Sequence, residues 1–146
     1  MMNRRGFTLI ELLIVVGLIG ALAMLAAPRL ARSLGRQSVR GARDAVAGMH
    51  ATARAAAVQR GRSTQLVFTG NTVLILTRHP VTGVLDTVGE PADLMSRYGA
   101  TLNASRSSLQ FDPRGLGTEG SATTITVTRG PYSEQLVINM WGRLVK

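Results

Sequence analysis

The sequence predicts an α+β fold in which one long N-terminal helix precedes an antiparallel β head, and three observations carry that prediction. Residues 7–27 form an apolar run of twenty-one residues whose only ionisable side chain is Glu11. Residues 29–61 contain no proline, are rich in Ala, Leu, Val and Arg, and keep helical spacing. From Ser63 onward, short β-branched runs alternate with turns that carry glycine and proline.

The helix is expected in two parts. The apolar run is close to the roughly 20 residues a helix needs to cross the hydrocarbon core of a bilayer. Gly17, Gly20, Ala21, Ala23, Ala26 and Ala27 make one end thin, which suits close helix packing in lipid. Pro28 removes a backbone donor and clashes with the preceding turn, which predicts a kink or melted turn there; the end of a free-standing helix is the competing reading. At about 1.5 Å per residue, a helix from Phe7 to Gly61 would be roughly 80 Å long. Arg29, Arg32, Arg36, Arg40 and Arg43 share one face, continued by His50 and Arg54, while Leu30, Leu34, Val39, Ala42, Val46, Met49, Ala53, Ala57 and Val58 supply an apolar side. The charge stripe reads as a solvated face, with contact to lipid headgroups or to acidic neighbours as the alternative.

Composition bounds the rest. A chain of 146 residues suits one folded domain. Cysteine is absent, which excludes disulfides and metal sites built on thiolates. The net charge of +9 is no clue to nucleic acid. Two arginines precede the apolar run and eight more lie between Arg29 and Arg62, so from Ser63 onward seven basic side chains face six acidic ones. Nucleic-acid binding would have to rest on local clustering.

In the head, strands are expected at Ser63–Phe68 and Thr72–Thr77 around a Gly70-Asn71 turn, with Gly in the first loop position. Val81 to Tyr98 reads as a loop holding at most a short strand or a turn of helix. Further strands are expected at 100–104, 108–112, 123–129, 135–140 and 143–145, with Gly130-Pro131-Tyr132-Ser133 joining an antiparallel pair.

Several motif matches are set aside. Gly115-Leu-Gly117-Thr-Glu-Gly120 fits the G-x-G-x-x-G string, but a threonine-rich strand follows it where a dinucleotide site needs a helix. It reads as a flexible hairpin loop. Asn103-Ala-Ser105 matches a glycosylation acceptor pattern, a short string that is given little weight. Asp86, Glu90 and Asp93 lack the oxygen-dense spacing of a calcium loop and read as solvated acids. The only histidines are His50 and His79, and no paired carboxylates or activated nucleophile stand at a usable spacing. No enzyme activity, cofactor or metal is expected.

The N-terminus carries the most specific signal. A secretory signal places its apolar region before the cleavage site, whereas here the candidate site, Arg5-Gly6-Phe7, lies before the apolar region. A carboxylate in a bilayer-length segment costs on the order of a few kcal/mol, which makes Glu11 a functional residue in need of a partner. Basic leader, Gly6, Phe7, Glu11 as the fifth residue after the cut and Pro28 as the twenty-second together resemble the signal of type IV prepilins and type II secretion pseudopilins. The resemblance implies a prepilin peptidase that cuts after Gly6 and methylates the Phe7 amine, and pairing of Glu11 with the amino terminus of a neighbouring subunit. An α-amine titrates near about 7.7–8.0 in water and is largely cationic at neutral pH, so the pair would remove two costly charges from hydrocarbon. The positive-inside rule does not set the orientation, since arginines flank both ends. The resemblance implies an N-terminus inside, a single pass through the bacterial inner membrane and a periplasmic head.

A second resemblance covers roughly the last forty residues. Phe111-Asp112-Pro113-Arg114-Gly115, a Gly- and Thr-rich strand hairpin and Gly142-Arg143 are similar to the GspH/FimT family of minor pilins and pseudopilins. It implies a type IV pilin-like head of two antiparallel sheets packed on the upper helix. FimT-type pilins that assist DNA uptake end in a Gly-Arg-x-Arg string. Here Gly142 and Arg143 are present, Val145 stands at the second Arg position, and Lys146 follows. Arg143, Lys146, Arg129 and Arg114 are the candidate DNA-contacting residues, beside Trp141.

The expected plan is a leader (1–6), a membrane and filament-core helix (7–28), a soluble amphipathic half (29–62) and a β-rich head (63–146). The expected function is a minor pilin or pseudopilin of a type IV pilus or type II secretion filament, acting in assembly, in priming or at the tip with other subunits. A DNA-binding pilin of a DNA-uptake filament and an anchored periplasmic domain that never assembles are the alternatives.

Overall fold

A computed structural model of the chain describes residues 8–79 and 81–145, the side chain of Pro28 excepted. The chain divides into two compact units, one ending at Leu34 and the other beginning at Gly35.

Helix α1 runs Leu9–Arg60. It continues through position 28, so of the outcomes expected at Pro28 the end of the helix and the melted turn are both excluded. A proline costs a helix one hydrogen bond and a local clash; long flanking runs of helix formers outweigh that cost. In the first unit the apolar side chains from Leu9 to Leu25 are all exposed.

In the second unit the helix from Gly35 onward buries one stripe. Val39, Ala42, Val46, His50, Ala53 and Ala57 recur at three- and four-residue steps, and all are buried. His50 therefore belongs to the apolar face and not to the arginine face on which its spacing from Arg43 placed it. Val58, expected on the apolar side, is exposed.

Two antiparallel sheets complete this unit, as the resemblance implied. The first is built from β1 (Thr64–Thr69), β2 (Thr72–Arg78), β3 (Leu85–Thr87) and β6 (Ser108–Phe111) in the order β3-β2-β1-β6, with β4 (Ala92–Asp93) also pairing β2. The second has the order β5-β7-β8-β9, from β5 (Thr101–Ala104), β7 (Thr123–Arg129), β8 (Tyr132–Ile138) and β9 (Leu144–Val145). Each long strand alternates, so that Leu66, Phe68, Val73 and Ile75 of one sheet and Ile125, Val127, Leu136 and Ile138 of the other meet the helix stripe in one core.

The expected first hairpin is present. Thr69 faces Thr72, and Gly70 takes the left-handed conformation, φ 58°, that its turn position demands. The second hairpin is tighter than expected. Arg129 faces Tyr132, so Gly130-Pro131 alone makes the turn and Tyr132 and Ser133 join β8. The 81–98 stretch holds more structure than a loop: β3, β4 and α2 (Leu94–Tyr98). Asp93 caps that helical turn by accepting from the Met95 and Ser96 amides at 2.9 and 3.3 Å, and Gly99 at φ 60° ends it. The Gly115–Gly120 segment is not a hairpin loop, since it passes from β6 in one sheet to β7 in the other.

Candidate assembly site and C-terminal latch

Thr8 and Glu11 are joined reciprocally at the start of α1. The Glu11 amide donates to Thr8 Oγ1 at 3.3 Å, and the Thr8 amide donates to Glu11 Oε2 at 3.5 Å. This capping box satisfies two donors that a helix start otherwise leaves open, and it sets a carboxylate at the positive end of the helix dipole. The box uses one carboxylate oxygen; a carboxylate accepts at about four positions, so capacity remains for a cation from outside the chain. Thr8 is missing from the sequence reading, although Thr-x-x-Glu before an apolar run is a known start signal. Gly6 and Phe7, the expected processing residues, lie outside the described residues, as does the 1–6 leader.

Along the apolar run, a Cβ built on Gly17 or Gly20 would meet nothing within 4 Å. The described residues contain one helix long and apolar enough to cross a membrane.

The C-terminal motif residues form a latch. Asp112 Oδ1 accepts from the Arg114 and Leu116 amides, both at 2.9 Å, and Oδ2 accepts from the Arg114 guanidinium at 2.9 Å. These donors, the Leu116 amide foremost, hold the Asp112 carboxyl below its usual value. Gly115 offers its carbonyl to Arg54 Nε at 2.9 Å. Gly117 donates its amide to the Trp141 carbonyl at 3.0 Å. A Cβ on Gly117 would stand 2.7 Å from Gly142 N, and one on Gly142 would stand 2.7 Å from Gly117 N, so two glycines are needed for the backbones to touch. Asn139 Oδ1 gathers the Trp141 and Arg143 amides at 3.1 and 2.9 Å.

His50 closes the latch from the helix. Its Nε2 lies 3.0 Å from the Gly142 carbonyl, which can only accept, so Nε2 carries a proton and donates. Its ring meets Phe111 edge to face, centroids 5.3 Å apart. Burial, with a smaller push from the Arg54 cation, moves the imidazole below its ordinary value, against the opposing bond to Gly142. Helical spacing alone could not find this role, because position 50 lies where the polar and apolar stripes meet.

The candidate DNA-contacting residues are not all brought together. Thr123 and Leu144 both face Ile138 across β8, which puts the Arg143 end of the sheet beside the start of β7. Arg129, six residues further along β7, is about 20 Å away at 3.4 Å per residue. Its guanidinium is taken up by Ser38 Oγ and, at 2.9 Å, by the Tyr98 carbonyl. Arg114 is paired with Asp112, although its loop does reach the turn that carries Trp141 and the exposed Arg143. Lys146 lies outside the described residues. Asp86, Glu90 and Asp93 do not converge: Asp93 caps α2, Glu90 lies 3.6 Å from Arg97, and Asp86 sits on β3. Among the described residues no group of three or more His, Asp or Glu is arranged to hold a metal.

Comparison with known proteins agrees with this architecture. Residues 42–142 match the family model described as Type II transport protein GspH, and residues 1–27 match the prokaryotic N-terminal methylation motif. The chain is 31% identical to the pilin-like protein PilA1 of Thermus thermophilus across 97% of each protein. Its fold is similar to that of the type IV minor pilin FimU of Pseudomonas aeruginosa. One crystal form matches at TM-score 0.61 and 18% identity over 75% of this chain and 88% of that one. A second matches at TM-score 0.57 and 17% identity over 73% and 90%. A methylation motif, a single long apolar helix and two sheets closed by the Asp112–Gly142 latch together make this chain a member of the GspH family of minor pilins and pseudopilins, built on the type IV pilin fold.

Proposed function

We propose that the chain is a minor subunit that acts in filament assembly, cut after Gly6 by a prepilin peptidase and methylated at Phe7. Residues 7–28 would anchor it in the bacterial inner membrane and afterwards pack in the filament core. Residues 29–62 would carry the periplasmic head, 63–146, to the tip or surface, where it contacts other minor subunits. One observation carries this reading: Glu11 is the only ionisable side chain in a run that is apolar from Leu9 onward and whose described side chains are all exposed. Such a surface is satisfied first by lipid and then by other helices, and its one carboxylate selects the register that brings it a cation.

Two measurements test it. Mass spectrometry of filament-incorporated protein is expected to show methylated Phe7 at the N-terminus, and recovery of Met1 or Met2 would overturn the processing step. Glu11→Leu is expected to insert in the membrane as well as the parent while incorporation into filaments falls. Equal incorporation in a complementation assay removes the register role.

A further inference from the structure

A recess of about 580 Å³ opens on the outer face of the five-stranded sheet, within the range of roughly 300–1,000 Å³ that ligand sites occupy. Its floor crosses three strands, where Gln110 faces Gln65 and Gln65 faces Leu76. Leu85, opposite Arg78, extends the apolar part.

The rim is cationic and donor-rich. Arg62, Arg78 and His79 line it, and no carboxylate does. Strand alternation turns the neighbouring Asp86 to the opposite face with Thr77, and Asp112, next to the lining residue Pro113, is occupied by Arg114 and two amides. Two of the three donors are set in advance. Arg78 Nη1 donates to the Gly83 carbonyl at 3.3 Å, which fixes the guanidinium and leaves its other N–H groups without a partner among the described residues. His79 Nδ1 accepts from the Val81 and Thr82 amides, both at 3.3 Å, so the ring proton is on Nε2. A held side chain loses less freedom when it binds.

We propose that this recess binds an acidic peptide segment of a partner protein. Carboxylates of the segment pair with Arg62 and Arg78, an apolar side chain between them covers Leu76 and Leu85, and its backbone amides meet the carboxamides of Gln65 and Gln110. Guanidinium groups match carboxylates in two-pronged geometry. A bare phosphate or a nucleic-acid backbone would engage the cations and leave the leucines and carboxamides unused. The inference stands on the recess and is separate from the register role of Glu11.

The test uses the full-length chain in non-ionic detergent and a fluorescent peptide, Gly-Asp-Leu-Glu-Gly, followed by anisotropy. Saturable binding is expected, about tenfold weaker in the Arg62→Gln, Arg78→Gln double variant, the combined loss of two solvent-exposed ion pairs. Leu76→Ser is expected to weaken binding less, and Arg36→Gln with Arg40→Gln to leave it unchanged. Absence of saturable binding to the parent overturns the proposal, as does equal binding of Gly-Asn-Leu-Gln-Gly. Equal weakening by the Arg36, Arg40 pair would assign the affinity to the helix. Displacement by short duplex DNA with no effect of Leu76→Ser would assign it to phosphate, and either result ends the peptide reading.

Discussion

The two halves of helix α1 differ in who completes them. Before Leu34 the described apolar side chains stand exposed, and Gly17 and Gly20 open onto empty space. From Gly35 the same helix is completed by its own chain: a Cβ on Gly35 would come 2.6 Å from the Tyr132 ring, and one on Gly41 would come 3.0 Å from the Tyr98 ring. Glycine makes room for an aromatic ring of the head in the second half, and in the first it leaves the helix surface open. The difference teaches that a helix surface can be judged only against its intended neighbour. Exposed leucines read as a fault in a soluble protein and as an unfinished interface here.

That contrast can be broken most directly through the glycines. Gly117→Ala drives a Cβ into the Gly142 backbone, and is expected to cost about 3 kcal/mol or more of head stability, seen as a large drop in the thermal unfolding midpoint of the detergent-solubilised chain. Gly20→Ala is expected to leave that midpoint where it is, and Gly20→Leu to impair incorporation into filaments. Gly35→Ala falls between them, about 1–3 kcal/mol, because the Tyr132 ring must shift. If Gly20→Ala lowers the midpoint as far as Gly35→Ala, the two halves are not independently completed.

A smaller effect comes from His50. Its folded-state value is depressed below the ordinary imidazole value of 6.5, so the unfolded chain binds the extra proton first. The stability this group contributes is full above about pH 6.5 and is lost as the pH falls below it. Asp112, also depressed, contributes stability that is lost only at pH below the usual carboxylate range, which separates the two. Denaturant titrations between about pH 7.5 and 5 are expected to show the loss in the parent. His50→Gln keeps a donor for Gly142 and is expected to flatten the curve; an unchanged slope would clear His50 of the effect.

The smallest effect concerns Thr64 and Thr123, whose hydroxyls are fully buried without a partner among the described residues. Thr64→Val is expected to stabilise the head by about 1 kcal/mol, since an unsatisfied hydroxyl is removed from the core. A destabilised variant would show that the hydroxyl does find a partner.

Where local chemistry decides the outcome, the sequence was a sufficient guide. Gly70-Asn71 fixes its hairpin because only one loop conformation suits a glycine in first position, and the alternation of Thr123 to Val127 fixes which face is buried. The helix was legible in the same way, and at Pro28 its helix-forming flanks exclude the end of the helix and the melted turn. The C-terminal latch was legible as a motif and not as a structure. Asp112, Gly117, His50 and Gly142 come together only through the crossing from one sheet to the other, and no local pattern encodes that crossing. The same non-local step put His50 inside, whereas the register of β7, β8 and β9 within one sheet set Arg129 apart from Arg143.

The latch also sets an order of events. His50 and Gly142 are separated by 92 positions along the chain, and the Arg129 bond to Ser38 spans 91. Contacts so distant in sequence form slowly, because the loop between them must be closed before they repay it. During synthesis the apolar run leaves the ribosome long before Gly142 is made, at roughly 5–20 residues per second. The head therefore matures as the late step of a chain whose first helix has already been made, and until Gly142 arrives the place it fills beside His50 and Gly117 stays open.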